Sequence, residues 1–423
     1  MQLPTPTDGE IPISVLHQGL VDQVKAKGHI TSPLVEAAFR AVPRHLFLPN
    51  LSPQEVYQDK AITTKSVDGQ FVSSSSQPTI MAIMLEQLDL QPGQRVLEIG
   101  AGTGYNAALM AHIVGETGHI VTIDIDEDIV EGACEHLATA GFERVQVVCT
   151  DGGLGFPDEA PYDRIILTVN SGDITPAWRE QLKPGGRLLL PLVVRGPQVA
   201  VAFKQVEDYL ESISVQPCGF VGLRGAFAES NASVQLVPEP GRLYLRLGEA
   251  RRVNADRVVA LLKGMGRDIP TQVYVTPQEI YSGLSFWLAL HEPLFCELTA
   301  SGEMAQSGIV PNLFGYPSTI PMSSTIALLE ENSLSLILFA SGQAPSPNAP
   351  TGLFQLAVRS YGPSDALASH LVAQMMAWNA AGRPNERSLH IRAYVQNSEY
   401  VPDKYDIVIE KHWTRFVFRW MGI

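Results

Sequence analysis

Hydrophobic and polar residues follow two different periods along the first half of this chain. Apolar residues recur at helical spacing in Val15–Lys27 and Leu34–Ala41, which predicts two helices. Short apolar runs predict strands near residues 95–99, 120–124, 145–149, 164–169 and 187–193. Because strand and helix signals alternate, the pattern predicts an α/β fold with a parallel, doubly wound sheet.

The pattern changes after Pro238–Gly241, where a run of turn-forming residues indicates a linker. Beyond it we predict a helix that Asn254 caps and that ends at Lys263, and a second that Ser364 caps and that runs through Ala380. The strands predicted here are Leu243–Leu247, Leu334–Ala340, Leu353–Arg359, Leu389–Val395, Tyr405–Glu410 and Thr414–Trp420. The sequence therefore predicts an α/β domain in residues 1–235 and an α+β domain in residues 236–423.

The most informative motif is Val96–Tyr105, where an apolar strand passes into a turn with glycines at 100, 102 and 104. Glycine permits a positive φ and a close approach to a ligand, and the helix predicted at Asn106–Val114 offers free N–H groups. A nucleotide-like cofactor is held in this way. The turn alone leaves NAD and S-adenosylmethionine (AdoMet) open, because Gly102, Gly104 and Ala107 also fit a dinucleotide fingerprint and Asp124 follows about 20 residues on.

Three further features favour AdoMet. Glu98 precedes the first glycine, where NAD enzymes usually carry an apolar residue, and a strand-end carboxylate in water is its simpler interpretation. The strand near 145–149 leads to Asp151-Gly152, which can place a carboxylate and an N–H beside an adenine edge, or can be a plain turn. Leu182–Leu190 indicates a helix stop, a turn and a new strand. This order of features is typical of class I methyltransferases.

Several segments resemble the protein-L-isoaspartate (D-aspartate) O-methyltransferase family. Ser32–Phe39 and Val42–Pro49 are similar to its N-terminal signature, and Gly69-Gln70 with Ser76–Ala82 is similar to its substrate loop. Ala160–Ile165 and Gln181–Pro191 complete a resemblance that covers about residues 10–225.

The resemblance implies a class I methyltransferase fold, an enzyme that methylates a carboxylate, and AdoMet as cofactor. Ser76 is then expected near the reacting carboxylate. The cofactor-binding residues that it implies are Glu98, Gly100, Ala101, Gly102, Thr103, Gly104, Asp124, Ile125, Asp151 and Gly152. Among these, Glu98 and the glycines are expected at the methionine end, Asp124 at the ribose hydroxyls and Asp151 at the adenine.

The chain departs from the family pattern in two places. Phe71–Ser75 intervenes between Gly69-Gln70 and the active serine, so that Ser73 and Ser75 are candidates beside Ser76, and a flexible polar loop is the alternative. Thr168–Asp173 carries polar residues where the family has small apolar ones. They indicate recognition of a different peptide, although a solvated loop would have the same composition.

The implied reaction requires little acid–base chemistry from the protein. A carboxylate is ionised at pH 7 and can attack a sulfonium methyl group without a general base. Positioning and exclusion of water are then the main contributions of the protein. The ten histidines show no spacing typical of a metal site or a base, so we predict neither a metal nor a catalytic histidine.

Composition narrows the partners and the compartment. The chain has 423 residues and a formal charge of −14, which makes nucleic acid a poor partner. Its cysteines at 134, 149, 218 and 296 share no C-x-x-C spacing and are interpreted as reduced core thiols. Met1–Glu10 lacks a signal-peptide pattern, and no apolar run approaches the ~18 residues of a membrane span. We expect a cytoplasmic protein without membrane contact.

The C-terminal half, which extends beyond the part that resembles the family, bears on which function within the family we expect. Extended relatives that tailor ribosomally made peptides, such as lanthipeptides and graspetides, resemble this layout, which implies methylation of an Asp side chain that leads to aspartimide or isoaspartate. The closest alternative is repair of isoaspartate in damaged proteins, and a third is an AdoMet-binding peptide adaptor without catalysis. The expected partner is a peptide or protein that carries Asp or isoAsp. The second domain then grips this substrate or forms a homo-oligomer.

Overall fold

A computed structural model gives the fold and describes residues 11–67, 70–228, 233–238, 242–249, 251–314, 321–340 and 352–422. Its helices are α1 (Ile13–Ala26), α2 (Pro33–Ala41), α3 (Pro53–Val56), α4 (Pro78–Leu88), α5 (Tyr105–Val114), α6 (Glu127–Thr139), α7 (Pro176–Glu180), α8 (Ala255–Lys263), α9 (Pro277–Glu279), α10 (Ser285–His291), α11 (Glu303–Gln306) and α12 (Ala366–Ala380). A π-helical turn, Ile280–Leu284, joins α9 to α10. Met1–Glu10, part of the predicted linker and the whole stretch 341–351 lie outside the described residues.

The strands, in chain order, are β1 (Ile62–Val67), β2 (Gln70–Ser75), β3 (Arg95–Ile99), β4 (His119–Asp124), β5 (Gln146–Cys149), β6 (Tyr162–Leu167), β7 (Leu182–Val193), β8 (Gln198–Val206), β9 (Tyr209–Pro217), β10 (Ser233–Val237), β11 (Leu243–Leu247), β12 (Arg267–Val275), β13 (Phe295–Ser301), β14 (Met322–Glu330), β15 (Ser333–Phe339), β16 (Phe354–Tyr361), β17 (Leu389–Val395), β18 (Ile407–Glu410) and β19 (Thr414–Trp420). The strands predicted from the sequence are all present, with ends that differ by a few residues.

The first sheet has ten strands in the order β18-β19-β17-β9-β8-β7-β6-β3-β4-β5. The five strands from β7 to β5 run parallel, and the remaining pairs are antiparallel. The predicted α/β class I methyltransferase fold is confirmed. The parallel strands end together at one edge, which is where ligands bind in such sheets.

The second sheet is antiparallel and has seven strands in the order β10-β11-β13-β14-β15-β16-β12. Helix α8 packs on it from one side, with Val258 and Leu262 buried in a separate apolar cluster. On the other side, α12 buries Leu367, Leu371, Met375 and Trp378, the face that the sequence predicts. The sheet-rich region after the methyltransferase fold is therefore present as expected.

The two sheets share one apolar core. Leu97 and Ile99 on β3 belong to a buried cluster that also contains residues of α10, α12 and the second sheet. The alternate residue Val96 belongs to a cluster with α1, α2, α4 and α5. One face of the parallel sheet is thus covered by the early helices, and the other by the C-terminal half of the chain.

Strands β17–β19 lie in the first sheet, although the sequence pattern assigns them to the second domain. β17 pairs with β9, and Leu389, Ile391 and Ala393 continue the buried face along that edge. Without β17, the backbone groups of β9 would remain unpaired at an edge. The predicted domain boundary at residue 235 stays a prediction.

The structure also tests the expectation that the cysteines are core thiols, and it shows whether any helix could span a membrane. Cys218 and Cys296 are buried, but Cys134 and Cys149 are exposed, so the prediction of core thiols is wrong for two of the four. Cys149 ends β5, which is the edge strand of the first sheet, and this explains its exposure. In the part of the chain that the structure describes, no helix has the length and apolar character needed to span a bilayer.

Candidate cofactor and substrate site

The glycine loop lies on the carboxyl ends of β3 and β4. The N–H groups of Gly100 and Ala101 both donate to the carbonyl of Ile123, at 2.8 and 3.0 Å. Gly100 has a φ of 105°, and an added Cβ would lie 2.5 Å from Oγ1 of Thr168. The loop can therefore lie this close to the neighbouring strand only with glycine at position 100.

Glu98 is fully buried directly under the loop. Its two carboxylate oxygens accept hydrogen bonds of 2.7 Å each, one from Asn106 and one from Thr122. Burial raises the pKa of Glu98 to about 7. Because Glu98 is fully buried, the alternative of a carboxylate in water is wrong. Glu98 also lines a cavity at the loop.

Asp124 ends β4 and links the loop to the segment that follows the strand. Its carboxylate accepts hydrogen bonds from the N–H of Gly102 at 3.3 Å and of Ile125 at 2.9 Å. Burial raises its pKa, and Nη2 of Arg224 lies 3.8 Å away. Asp124, Ile125, Ala101, Gly102 and Thr103 all line the cavity.

The remaining predicted cofactor residues have supporting positions. Gly104 adopts a φ of 83° at the N-terminus of α5, where an added Cβ would lie 3.1 Å from Leu137. Asp151 accepts hydrogen bonds from the N–H of Gly153 at 2.9 Å and of Ala226 at 2.7 Å. Gly152 lines the cavity, but Asp151 is not among its described lining residues. Contact between Asp151 and adenine stays a prediction.

The serine run forms strand β2 rather than an open loop. β2 pairs with β1 in an antiparallel hairpin, with Ser73 opposite Lys65 and Ser75 opposite Ile62. Ser73 and Ser75 are buried, and their hydroxyls interact with Thr64 at 3.1 Å and Arg44 at 3.3 Å. Ser76 follows the strand and lines the cavity, and within the described residues its hydroxyl has no hydrogen-bond partner.

Arg44 holds the serine segment in place. Its side chain is fully buried and donates to backbone carbonyls of Val56, Gln58 and Ser76 at 3.0 to 3.2 Å. Burial lowers its pKa. The sequence places Arg44 within the family signature but gives it no role, because its acceptors lie between 12 and 32 residues away in the chain.

Two segments that line the cavity are fastened to one carboxylate. Asp126 lies between Lys65 of β1, at 2.9 Å, and Arg224, which donates two hydrogen bonds of 2.9 and 3.0 Å. Lys65 also contacts Asp128 at 2.6 Å. Lys65 of the β1–β2 hairpin and Arg224 of the segment 219–224 are thereby both fixed to the residue that precedes α6.

The cavity connects the glycine loop to the serine strand and has a volume of about 640 Å³. By the strand order, Asp124 and Gly152 line one end of the cavity, after β4 and β5. Gln198 and Cys218 line the other end, at β8 and β9, together with Tyr281, which hydrogen-bonds to Cys218. Tyr281 belongs to the C-terminal half, and sequence reasoning missed it because no local pattern marks a residue that reaches a distant site. The cavity is also lined by the apolar residues Ile80, Met81, Met84, Ile166 and Val169.

The polar segment Thr168–Asp173 is not a solvated loop. The N–H of Asn170 donates to the carbonyl of Val221, and the N–H of Leu223 donates to the carbonyl of Asn170, both at 2.8 Å. Val221 and Leu223 line the cavity. Asp173 is buried and accepts a hydrogen bond from the N–H of Trp413 at 2.8 Å. The departure from the family pattern therefore coincides with a contact to the C-terminal strands, whereas only Thr168 and Val169 line the cavity.

Comparisons with known proteins agree with this geometry. A family model described as protein-L-isoaspartate(D-aspartate) O-methyltransferase matches residues 15–227. A protein-L-isoaspartate O-methyltransferase of Hyperthermus butylicus is 39% identical over 217 residues, which are 49% of this chain and 88% of that relative. One of Methanoculleus marisnigri is 40% identical over 205 residues, or 48% of this chain and 89% of the relative. A solved structure titled as a protein-L-isoaspartate O-methyltransferase aligns over 96% of this chain and all of its own, with a TM-score of 0.51 and 23% identity.

Proposed function

Because this chain belongs to the protein-L-isoaspartate(D-aspartate) O-methyltransferase family, we propose that it methylates the free carboxylate of L-isoaspartate residues in damaged proteins and peptides. The protein is an AdoMet-dependent carboxyl O-methyltransferase. The observation that carries the proposal is the continuous cavity between the glycine loop and the serine strand. A methyl donor at the loop and a carboxylate at the serines occupy adjacent parts of that space, as methyl transfer requires.

The cofactor end has the groups that AdoMet needs. We assign its methionine end to Glu98 and the loop Gly100–Gly104, and its ribose to Asp124 and Ile125. Bound AdoMet supplies the methyl group. Glu98 supports this assignment. Its carboxylate is buried with no cation beside it among the described residues, and its pKa is raised to about 7, so a positively charged amino group would stabilise the ionised form. Adenine is assigned to the side of Gly152, with Asp151 holding the segment around Ala226.

The substrate end supplies one hydroxyl and an apolar wall that excludes water. The hydroxyls of Ser73 and Ser75 are buried and accept hydrogen bonds from Thr64 and Arg44, whereas that of Ser76 has no partner within the described residues and can donate to a carboxylate oxygen. Ser76 therefore remains our candidate to orient the nucleophile. Met81, Met84 and Ile166 exclude water that would otherwise solvate the carboxylate.

Tailoring of a ribosomally made peptide is the second candidate. The presence of Tyr281 in the cavity lining supports this candidate, because a residue of the added C-terminal region can restrict which peptides bind there. The serine run gives this candidate less support than the sequence suggested, because Ser73–Ser75 form an ordered strand rather than an altered loop. The relatives that are 39% and 40% identical to this chain are also both protein-L-isoaspartate O-methyltransferases. Repair of isoaspartate is therefore the better supported function.

Two peptides that carry Asp or isoAsp at the same site test the proposal directly. Each is incubated with the full chain and isotopically labelled AdoMet, and mass spectrometry records methyl gain and water loss. We expect methylation of the isoAsp peptide alone. Methylation or water loss on the Asp peptide would support tailoring, and AdoMet binding without either product would support an adaptor.

Matched serine variants make the same assay informative about the site. Ser76→Ala is expected to lower turnover of the isoAsp peptide by about tenfold, the scale of one hydrogen bond to a charged group, with AdoMet affinity unchanged. Ser73→Ala is the control, because its hydroxyl pairs with Thr64. If Ser73→Ala alone lowers turnover, the assignment of the orienting hydroxyl to Ser76 is wrong.

A further inference from the structure

Tyr281 brings the C-terminal half of the chain into the substrate end of the cavity. It lies outside residues 15–227, the part that matches the family, and yet it lines the same space as Ser76. Its hydroxyl donates to the carbonyl of Cys218 at 3.3 Å. Burial raises the pKa of Tyr281 to about 12, so the hydroxyl stays a donor at neutral pH.

The backbone around Tyr281 is tightly fixed. The π-helical turn Ile280–Leu284 interrupts the helix between Pro277 and His291, and such turns are frequent at functional sites. Ile280 and Leu284 are fully buried. A Cβ on Gly283 would lie 3.1 Å from Trp378 and 3.0 Å from the carbonyl of Pro384, so the turn packs closely against the end of α12. Tyr281 is therefore a preorganised wall of the cavity.

The strand order places this wall away from the cofactor. Asp124 ends β4, whereas Cys218 and Gln198 lie at the ends of β9 and β8, with β3, β6 and β7 between them. The N–H of Cys218 donates to the carbonyl of Gln198 at 3.3 Å, which joins the two strand ends. A group in contact with Tyr281 therefore belongs to the peptide substrate and not to the nucleoside.

The chemistry of this end suits an apolar side chain. Among the described residues that line the cavity, the charged ones are Glu98, Asp124 and Arg224, and all three lie toward the cofactor end. Near Tyr281 the cavity is lined by Pro217 and Phe220, and the ring of Phe314 packs edge-on against Tyr281 with 6.5 Å between ring centroids. A charged side chain here would lose hydration without gaining a partner.

We propose that Tyr281 is a specificity-determining residue that packs against an apolar side chain next to the methylated isoaspartate. This inference rests on the proposed function, and it adds to that function a preference for peptide sequence that the C-terminal half imposes. Substrates with an apolar neighbour gain a contact that glycine-flanked substrates lack.

The test compares three isoAsp peptides, one flanked by glycine on both sides and two with leucine on one side or the other. For wild type, we expect at least one leucine peptide to have a lower KM than the glycine peptide. Tyr281→Ala should reduce that preference by about tenfold, the scale of an apolar contact in a specificity pocket. Its kcat/KM for the glycine peptide should fall less than that for the favoured leucine peptide, and its AdoMet affinity should stay within about twofold of wild type, since the contact lies on the peptide side of the cavity.

Two further variants separate contact from structure. Tyr281→Phe removes the hydroxyl but keeps the ring, and it should retain the preference for leucine. Tyr274→Ala removes a tyrosine that is 46% exposed on β12 and should leave all three peptides unchanged.

An equal loss for all three peptides in Tyr281→Ala, or a loss of preference in Tyr281→Phe, would overturn the inference. An absence of methylation by wild type on every isoAsp peptide would instead overturn the proposed function.

Discussion

Glu98 is a carboxyl group that the fold keeps away from water, and this makes its contribution to stability depend on pH. Burial raises its pKa from 4.5 to about 7, so between these values the folded protein holds a proton that the unfolded chain has released. The free energy of unfolding is therefore lowered by Glu98 as pH rises through this window. The full change corresponds to about 3 kcal/mol.

The variant Glu98→Gln isolates this effect. We expect the stability of wild type relative to Glu98→Gln to fall by about 3 kcal/mol between pH 4.5 and pH 8, because glutamine does not titrate and other groups cancel in the difference. Urea unfolding without AdoMet at a series of pH values measures it. A difference that is constant with pH would mean that Glu98 is already ionised in the folded protein.

Single residues also show where a sequence is informative. The glycine loop could be predicted because its glycines, its strand and its helix are contiguous in the chain. The roles of Arg44, Asp173 and Tyr281 could not, because their partners are distant in sequence. For Asp173 and Trp413 the separation is 240 residues, so a polar residue with a structural partner has the same local pattern as one that binds substrate.

At the scale of elements, Asp126 connects the β1–β2 hairpin and the segment 219–224 at the N-terminus of α6. We expect Asp126→Asn to weaken AdoMet binding by about 1–2 kcal/mol, because Lys65 and Arg224 both lose a charged partner and the two segments loosen. Calorimetric titration gives the affinity, and hydrogen exchange should show faster exchange in both segments.

Asp128→Asn is the matched control for this prediction. Asp128 pairs with Lys65 but is largely exposed, so its loss should change the affinity by less than about 0.5 kcal/mol. An Asp126→Asn protein that keeps the affinity and exchange of wild type would show that the two segments are held by other contacts.

Several elements with a strong apolar period were predicted, but β8, whose residues Val199–Phe203 are apolar and buried, was not. Strands β17 and β19 match their predicted ranges, and α8 begins after Asn254, whose side chain accepts from the N–H of Arg257. The hairpin strand β2 was not predicted because its serines give no apolar alternation. The pairing of β17 with β9 was not predicted either, since strand periodicity specifies a face but not a neighbour.

At the scale of the whole molecule, the C-terminal half is part of the methyltransferase core. Arg179 donates to the carbonyl of Ala393, and Ser212 accepts from the N–H of Ile391, 179 residues away. Tyr209 and Tyr394 stack with 5.0 Å between ring centroids. These contacts and the shared apolar cluster cover a face of the first sheet with residues that lie outside 15–227, the part of this chain that matches the family.

A fragment of residues 1–235 is therefore expected to fail as an independent domain, although the sequence pattern places a boundary there. Removing residues 236–423 would expose apolar residues such as Leu190, Val201 and Phe203, which are fully buried, and would leave β9 as an open edge. Each large apolar side chain exposed costs about 1.5–3 kcal/mol, and a few of them exceed the total stability of a typical domain. Size-exclusion chromatography should show aggregation, and thermal unfolding should lack a cooperative transition. A monomeric fragment that unfolds cooperatively and binds AdoMet would instead mean that the second half only recognises substrate or forms oligomers.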